Sequence, residues 1–131
     1  LPTPEATRRA RASKRKGSQH ETDVRDFFRH AGADIEPLKL NGAEDEGDHV
    51  VRLADNSRVV IEAKNEQKIN LAGYMNEADL EAANYARHRG LERHRVLPVA
   101  IVKARGKSIA DAYVVIRLAE FVAFLRRTVG L

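Results

Sequence analysis

At 131 residues, with 43% hydrophobic and 32% charged side chains, the chain fits one soluble domain with a single core and is too short for two. It has no cysteine, which excludes disulfides, thiolate catalysis and cysteine-ligated zinc and points to an intracellular, reducing compartment. The net charge is +4, yet residues 1–16 alone carry +5 (Arg8, Arg9, Arg11, Lys14, Arg15 and Lys16 against Glu5), so the body is near −1 and could grip nucleic acid only through local patches.

The first 16 residues read as a basic flexible leader, either laid along phosphates or merely solvated, ahead of a folded domain over 17–131. No apolar segment follows it, so neither a signal peptide nor a membrane span is expected. From Gly17 and Ser18 onward, Val24, Phe27, Phe28 and Ala31 recur at the spacing of one helix face, and Gly32 ends the pattern. Asp34 to Leu40 reads as a short strand, and the stretch Asn41 to Gly47 as an acidic, glycine-bearing loop. Two runs, Asp48 to Ala54 and Arg58 to Lys64, flank Asp55, Asn56 and Ser57, which predicts a hairpin. A polar stretch from Asn65 to Gly73 precedes a helix over Tyr74 to Arg89, stopped by Gly90. Val96 to Lys103 predicts a buried strand, Ala112 to Ile116 a second, and Leu118 to Thr128 a helix with an apolar stripe of Leu118, Phe121, Val122 and Leu125. The order predicts an α/β fold, a central mixed β-sheet flanked by helices.

Chemistry gathers on the hairpin. A three-residue turn would set Asp48 opposite Lys64. Alternation then gives one apolar face (His49, Val51, Leu53, Val59, Ile61, Ala63) and one face with Asp48, Val50, Arg52, Arg58, Val60, Glu62 and Lys64. Two carboxylates held together call for a cation, and a set of hard oxygen ligands favours Mg²⁺ or Mn²⁺ over zinc. Such an ion beside an ammonium suits phosphodiester hydrolysis, with Lys64 orienting water or stabilising charge on the phosphate. The plainer reading is an ion pair on a solvated sheet face. Glu21 falls on the core-facing stripe of the first helix, where an unpaired carboxylate is costly, but Ser18 and Glu21 also have capping-box spacing, and spacing alone leaves the two readings equal. The histidines show no ligand spacing: His49 maps to the core face and His20 to the first helical turn. Gln67 and Lys68, just past Lys64, could touch substrate phosphate.

These residues resemble the PD-(D/E)XK nucleases, with their restriction-endonuclease-like core, and within them the archaeal-type Holliday junction resolvases. The resemblance runs through Lys16-Gly17-Ser18-Gln19-His20-Glu21, Asp48-His49-Val50-Val51, Ile61-Glu62-Ala63-Lys64 and the strand Leu97 to Lys103. It implies that Asp48, Glu62 and the Ala63 carbonyl bind Mg²⁺ (with Mn²⁺ able to substitute), that Glu21 meets the ion directly or through water, and that Lys64 assists the nucleophile. It also implies a homodimer acting on four-way or otherwise branched DNA, with a cytoplasmic setting in a bacterial cell or phage-infected host as the expectation. Gly47 stands where the superfamily's proline would be, and Asp45 is a rival ligand. The expected DNA contacts are the leader, Gln67, Lys68, Arg87 and Arg89 in the basic cluster that runs on to Arg95, and Lys103, Arg105 and Lys107. Rival functions are a restriction-like, repair or end-processing nuclease of this fold, or a DNA-binding module without catalysis.

Overall fold

The computed structural model describes residues 3–39 and 44–131, apart from the side chains of Ser13 and Lys16. Helix α1 (Pro4–His30) leads into strand β1 (Asp34–Pro37) and the hairpin β2 (His49–Arg52) and β3 (Arg58–Lys64). Helix α2 (Leu71–His88), strands β4 (Val96–Val102) and β5 (Tyr113–Val115), and helix α3 (Leu118–Thr128) follow. The five strands lie in sequence order in one sheet, β3 and β4 parallel and every other neighbouring pair antiparallel. The fold is thus α/β with a mixed sheet flanked by helices, as its element order predicts. Among the described residues no helix is long and apolar enough to cross a membrane.

Each sheet face has its own core. On one face Val24 of α1 meets Ile35, Val51, Ile61, Leu97, Val99 and Ile101, all buried. On the other, α2 lays Ala82, Tyr85 and Ala86 on Val50, Val60 and Val96, and Tyr74, Met75 and Ala78 on Ala100 and Val102. All seven residues of β4 are buried, as expected of a strand covered on both faces.

Four expectations change. First, α1 begins at Pro4 and not near Gly17, so the basic residues continue the helix that carries Glu21. Thr3 caps it by accepting the Ala6 N–H at 3.1 Å, and Pro4 takes the first-turn position, where its missing N–H costs nothing. No residue of α1 with a described side chain is buried before His20, so the first four turns stand clear of both cores. Second, the hairpin loop spans Leu53 to Ser57: Asp55 accepts the Ser57 N–H at 3.0 Å, and Asn56 takes a left-handed φ of 69°. The last pair is Arg52 with Arg58, a register shifted by two residues from a three-residue turn. Because side chains alternate with period two, the shift keeps the paired residues on their expected faces, while Asp48, one residue before the ladder, meets Ile61 and Ala63 of β3 rather than standing opposite Lys64. Third, β1 ends at Pro37, short of Leu40; Leu40 and residues 41–43 of the expected loop lie outside the described residues. Fourth, the expected apolar stripe of α3 is only half covered. The helix meets the core through Phe124, and of the stripe Val122 and Leu125 are half-buried while Leu118 and Phe121 are exposed.

Candidate metal centre

Asp48 is fixed before its side chain is considered. Its N–H donates to the Ile61 carbonyl at 2.9 Å and its own carbonyl accepts the Leu38 N–H at 2.8 Å, tying it to both neighbouring strands. Gly47 makes that approach possible. With φ of +101° it lies so close to β3 that a Cβ would fall 2.9 Å from Val60 Cγ1 and 3.2 Å from the Ile61 carbonyl oxygen, which gives a reason for glycine at this position. The Asp48 carboxylate accepts the Ala63 N–H at 2.8 Å. Burial pushes its pKa up to about 6, against the bond from Ala63, and the nearby charges of Glu21 and Asp45 push the same way.

Glu21 reaches this neighbourhood through histidine. His49, buried on the α1 face as expected, donates from Nε2 to the Glu21 carbonyl at 2.9 Å, pinning that turn of α1 against β2. The capping-box alternative falls away because Ser18 lies inside the helix, whose cap is Thr3. His20 sits mid-helix, buried, and is 3.0 Å from the Ile101 carbonyl, a link between α1 and β4.

Glu62 and Lys64 project from β3 toward α2. Lys64 Nζ lies 3.4 Å from Glu62 and 2.8 Å from Glu77, and 5.4 Å from the centre of the Tyr74 ring. Burial works against the ammonium, but Glu77 and Glu62 outweigh it and hold the Lys64 pKa above the ordinary lysine value. Glu62 is 7% exposed; burial raises its pKa, and the charges of Asp48 and Glu77 raise it further.

Sequence reasoning missed two acids. Glu77 and Glu81 lie one turn apart on α2, and one carboxylate oxygen from each of Asp45, Glu62, Glu77 and Glu81 falls within 4.8 Å of the others. Asp48 and Glu21 are not members of this group. Glu81 is 1% exposed, and neither of its oxygens meets a hydrogen-bond donor; burial and the proximity of Glu62 hold its pKa far above the ordinary carboxylate range. A signal was present: Tyr74, Ala78, Glu81 and Tyr85 run at spacings of four, three and four, so Glu81 interrupts an apolar stripe. An acid cluster with two buried members, Glu62 and Glu81, hard oxygen donors and no donor on Glu81 suits a divalent cation such as Mg²⁺ or Mn²⁺.

The remaining candidates divide. Arg8, Arg9, Arg11, Lys14 and Arg15 are exposed along the first half of α1, and Lys16 belongs to the same helix. Gln67 and Lys68 are exposed in the loop after Lys64, as are Arg105 and Lys107 after β4, where Lys103 Nζ donates to the Lys107 carbonyl at 3.2 Å. Arg87 and Arg89 are already engaged. Arg87 pairs with Glu44, Arg89 with Glu46, and His88 bridges both acids at 2.8 and 2.7 Å, so the acidic loop is neutralised by the end of α2. Arg89 also stacks 3.9 Å from the Tyr85 ring centre. Asn84 completes the attachment, donating to the Asp45 carbonyl at 2.8 Å.

No protein-family model matches this chain, and no curated protein does either. Among solved structures it is similar to Hjc of Archaeoglobus fulgidus, a Holliday junction resolvase from an archaeal hyperthermophile, with a TM-score of 0.46 and 14% identity over 81% of this chain and 93% of that one.

Proposed function

We propose that this chain is a Mg²⁺-dependent endodeoxyribonuclease of the PD-(D/E)XK kind that resolves Holliday junctions or other branched DNA. One observation carries the reading: Asp48, the residue just before β2, lies against β3 on both sides of Glu62, its N–H on the Ile61 carbonyl and its carboxylate on the Ala63 N–H, and its charge is felt at Glu62. Asp48, Glu62, the Ala63 carbonyl and Glu21 would hold the cation. A strand residue turns its N–H and C=O toward the same antiparallel neighbour, so Ala63, whose N–H meets Asp48, offers its carbonyl on that side as well. When bound, the ion supplies Lewis acidity and a water of lowered pKa.

The protein's own groups do the rest. Lys64, kept protonated by Glu62 and Glu77, acts as a fixed positive charge toward phosphate oxygens and not as the base. Glu77 orients it. His49 and Gly47 set the spacing between α1, β2 and β3 on which the acids depend. The arginines and lysines of α1 supply phosphate contacts that no sequence readout requires. Paired nicking of a four-way junction needs two such sites, and hence a homodimer.

The test compares cleavage of a synthetic four-way junction, a flap and a linear duplex in Mg²⁺ or Mn²⁺. Paired cuts on the junction are expected. Equal cutting of linear duplex would favour a restriction-like, repair or end-processing role, and binding without cutting under any divalent ion would favour a DNA-binding module. Removal of residues 1–16 is expected to weaken junction binding and flatten its salt dependence while leaving the cut positions unchanged.

A further inference from the structure

We infer that the acids beneath α2 form a second divalent-cation position, adjoining the one held by Asp48 and sharing Glu62 with it: Glu77 and Glu81 of α2 and Asp45 of the incoming loop complete it. For its first position the inference rests on the nuclease reading; the second stands on geometry alone. Oxygens of Asp45, Glu62, Glu77 and Glu81 converge within 4.8 Å, close enough to meet at one ion, and Asp48 and Glu21 lie outside this set.

The independent sign is Glu81. At 1% exposure its carboxylate has lost water, and neither oxygen has gained a donor. An unsatisfied buried carboxylate costs several kcal/mol, so its place in an apolar helix stripe needs compensation. Lys64 does not give it: its ammonium is spent on Glu62 and Glu77, and both Glu81 oxygens stay unpartnered beside it. A proton on Glu81 would satisfy its contact with one neighbouring carboxylate, Glu62 or Asp45, and leave it facing the other acceptor against acceptor. A hard divalent ion answers both oxygens and the neighbouring acids together.

Asp45 is delivered to this position from the loop. Asn84 of α2 holds its carbonyl, and its Oδ1 accepts the Gly47 N–H at 2.9 Å, leaving the second carboxylate oxygen for a ligand. The donors are all oxygens, so the ligand is a Mg²⁺- or Mn²⁺-like ion and not zinc or copper.

The experiment counts Mn²⁺ bound to the intact, metal-freed chain by the loss of the free-ion electron paramagnetic resonance signal, alongside the same variants assayed for cutting. Two ions are expected for the unaltered protein, and one each for Glu81→Gln and Asp48→Asn. Glu77→Gln, at a partly exposed position that folding tolerates, is expected to weaken the second ion at least about tenfold, and it serves if Glu81→Gln proves unstable. One ion in the unaltered protein, or two undiminished ions in both α2 variants, would overturn the inference. The outcomes separate from the nuclease reading: one ion with DNA cutting defeats the second position only, whereas two ions without cutting of any DNA defeat the nuclease and leave the position standing.

Discussion

The two faces of the sheet are built from the same strands and do opposite things. Facing α1, Val51, Ile61, Leu97, Val99 and Ile101 close over Val24, and the polar groups buried there, His49 and His20, each set Nε2 against a main-chain carbonyl. Facing α2, apolar packing fills the hairpin-loop end around Val50, Val60 and Tyr85, but beside Glu62 the same face carries a lysine and three further acids. One face spends its burial on stability. The other holds charges that lower stability, a cost usual where environments are arranged to perturb ionisation.

That contrast can be broken most sharply at adjacent residues of β3. On the proposed metal role of Glu62, Glu62→Ala is expected to reduce cleavage by about 10³-fold or more, since it would forfeit several kcal/mol of charge stabilisation, while the melting temperature stays within a few degrees. Ile61→Ala, pointing the other way from a fully buried position, is expected to lose about 2–5 kcal/mol in denaturant unfolding while the folded fraction still cuts. Next in size is a pH effect in metal-free protein. Burial raises the Asp48 pKa from 3.8 to about 6, so its stabilising protonated form is fully present below about pH 4 and lost as pH rises through 6. Asp48→Asn should therefore gain on the unaltered chain by about 3 kcal/mol between pH 4 and 7, and saturating Mg²⁺ should erase the difference; parallel stability curves would remove the electrostatic account of this face. Smallest is Glu81→Met, expected to raise the metal-free stability by about 2 kcal/mol, as replacing an incompletely satisfied buried polar group by an apolar side chain of similar size does, with loss of activity as the counterpart.

How much of this was legible in the chain depends on how local each cause is. Alternation in Asp48 to Ala54 and Arg58 to Lys64 assigns the two faces correctly because parity survives a register change of two. The register itself does not follow from the run of residues; it is set by Asp55 and Asn56 closing a longer loop. The long first helix was hidden by its own composition, since Arg8 to Lys16 has no apolar repeat, although Thr3-Pro4-Glu5 is a helix start by capping rules. Glu81 looks like one more surface acid until α2 is laid on the sheet. The neutralisation of Glu44 and Glu46 by Arg87, His88 and Arg89 joins residues more than 40 positions apart, and only the fold supplies it.

The continuity of α1 changes what a basic start to the chain means energetically. At 27 residues it is a rod of about 40 Å, and its far end carries Glu21 and the contacts of His20 and Val24. A loose tail surrenders about 1–2 kcal/mol of backbone freedom for each residue it lays on a polyanion. Here that ordering is already complete before any encounter, and the row of guanidinium and ammonium groups leaves the body in a set direction.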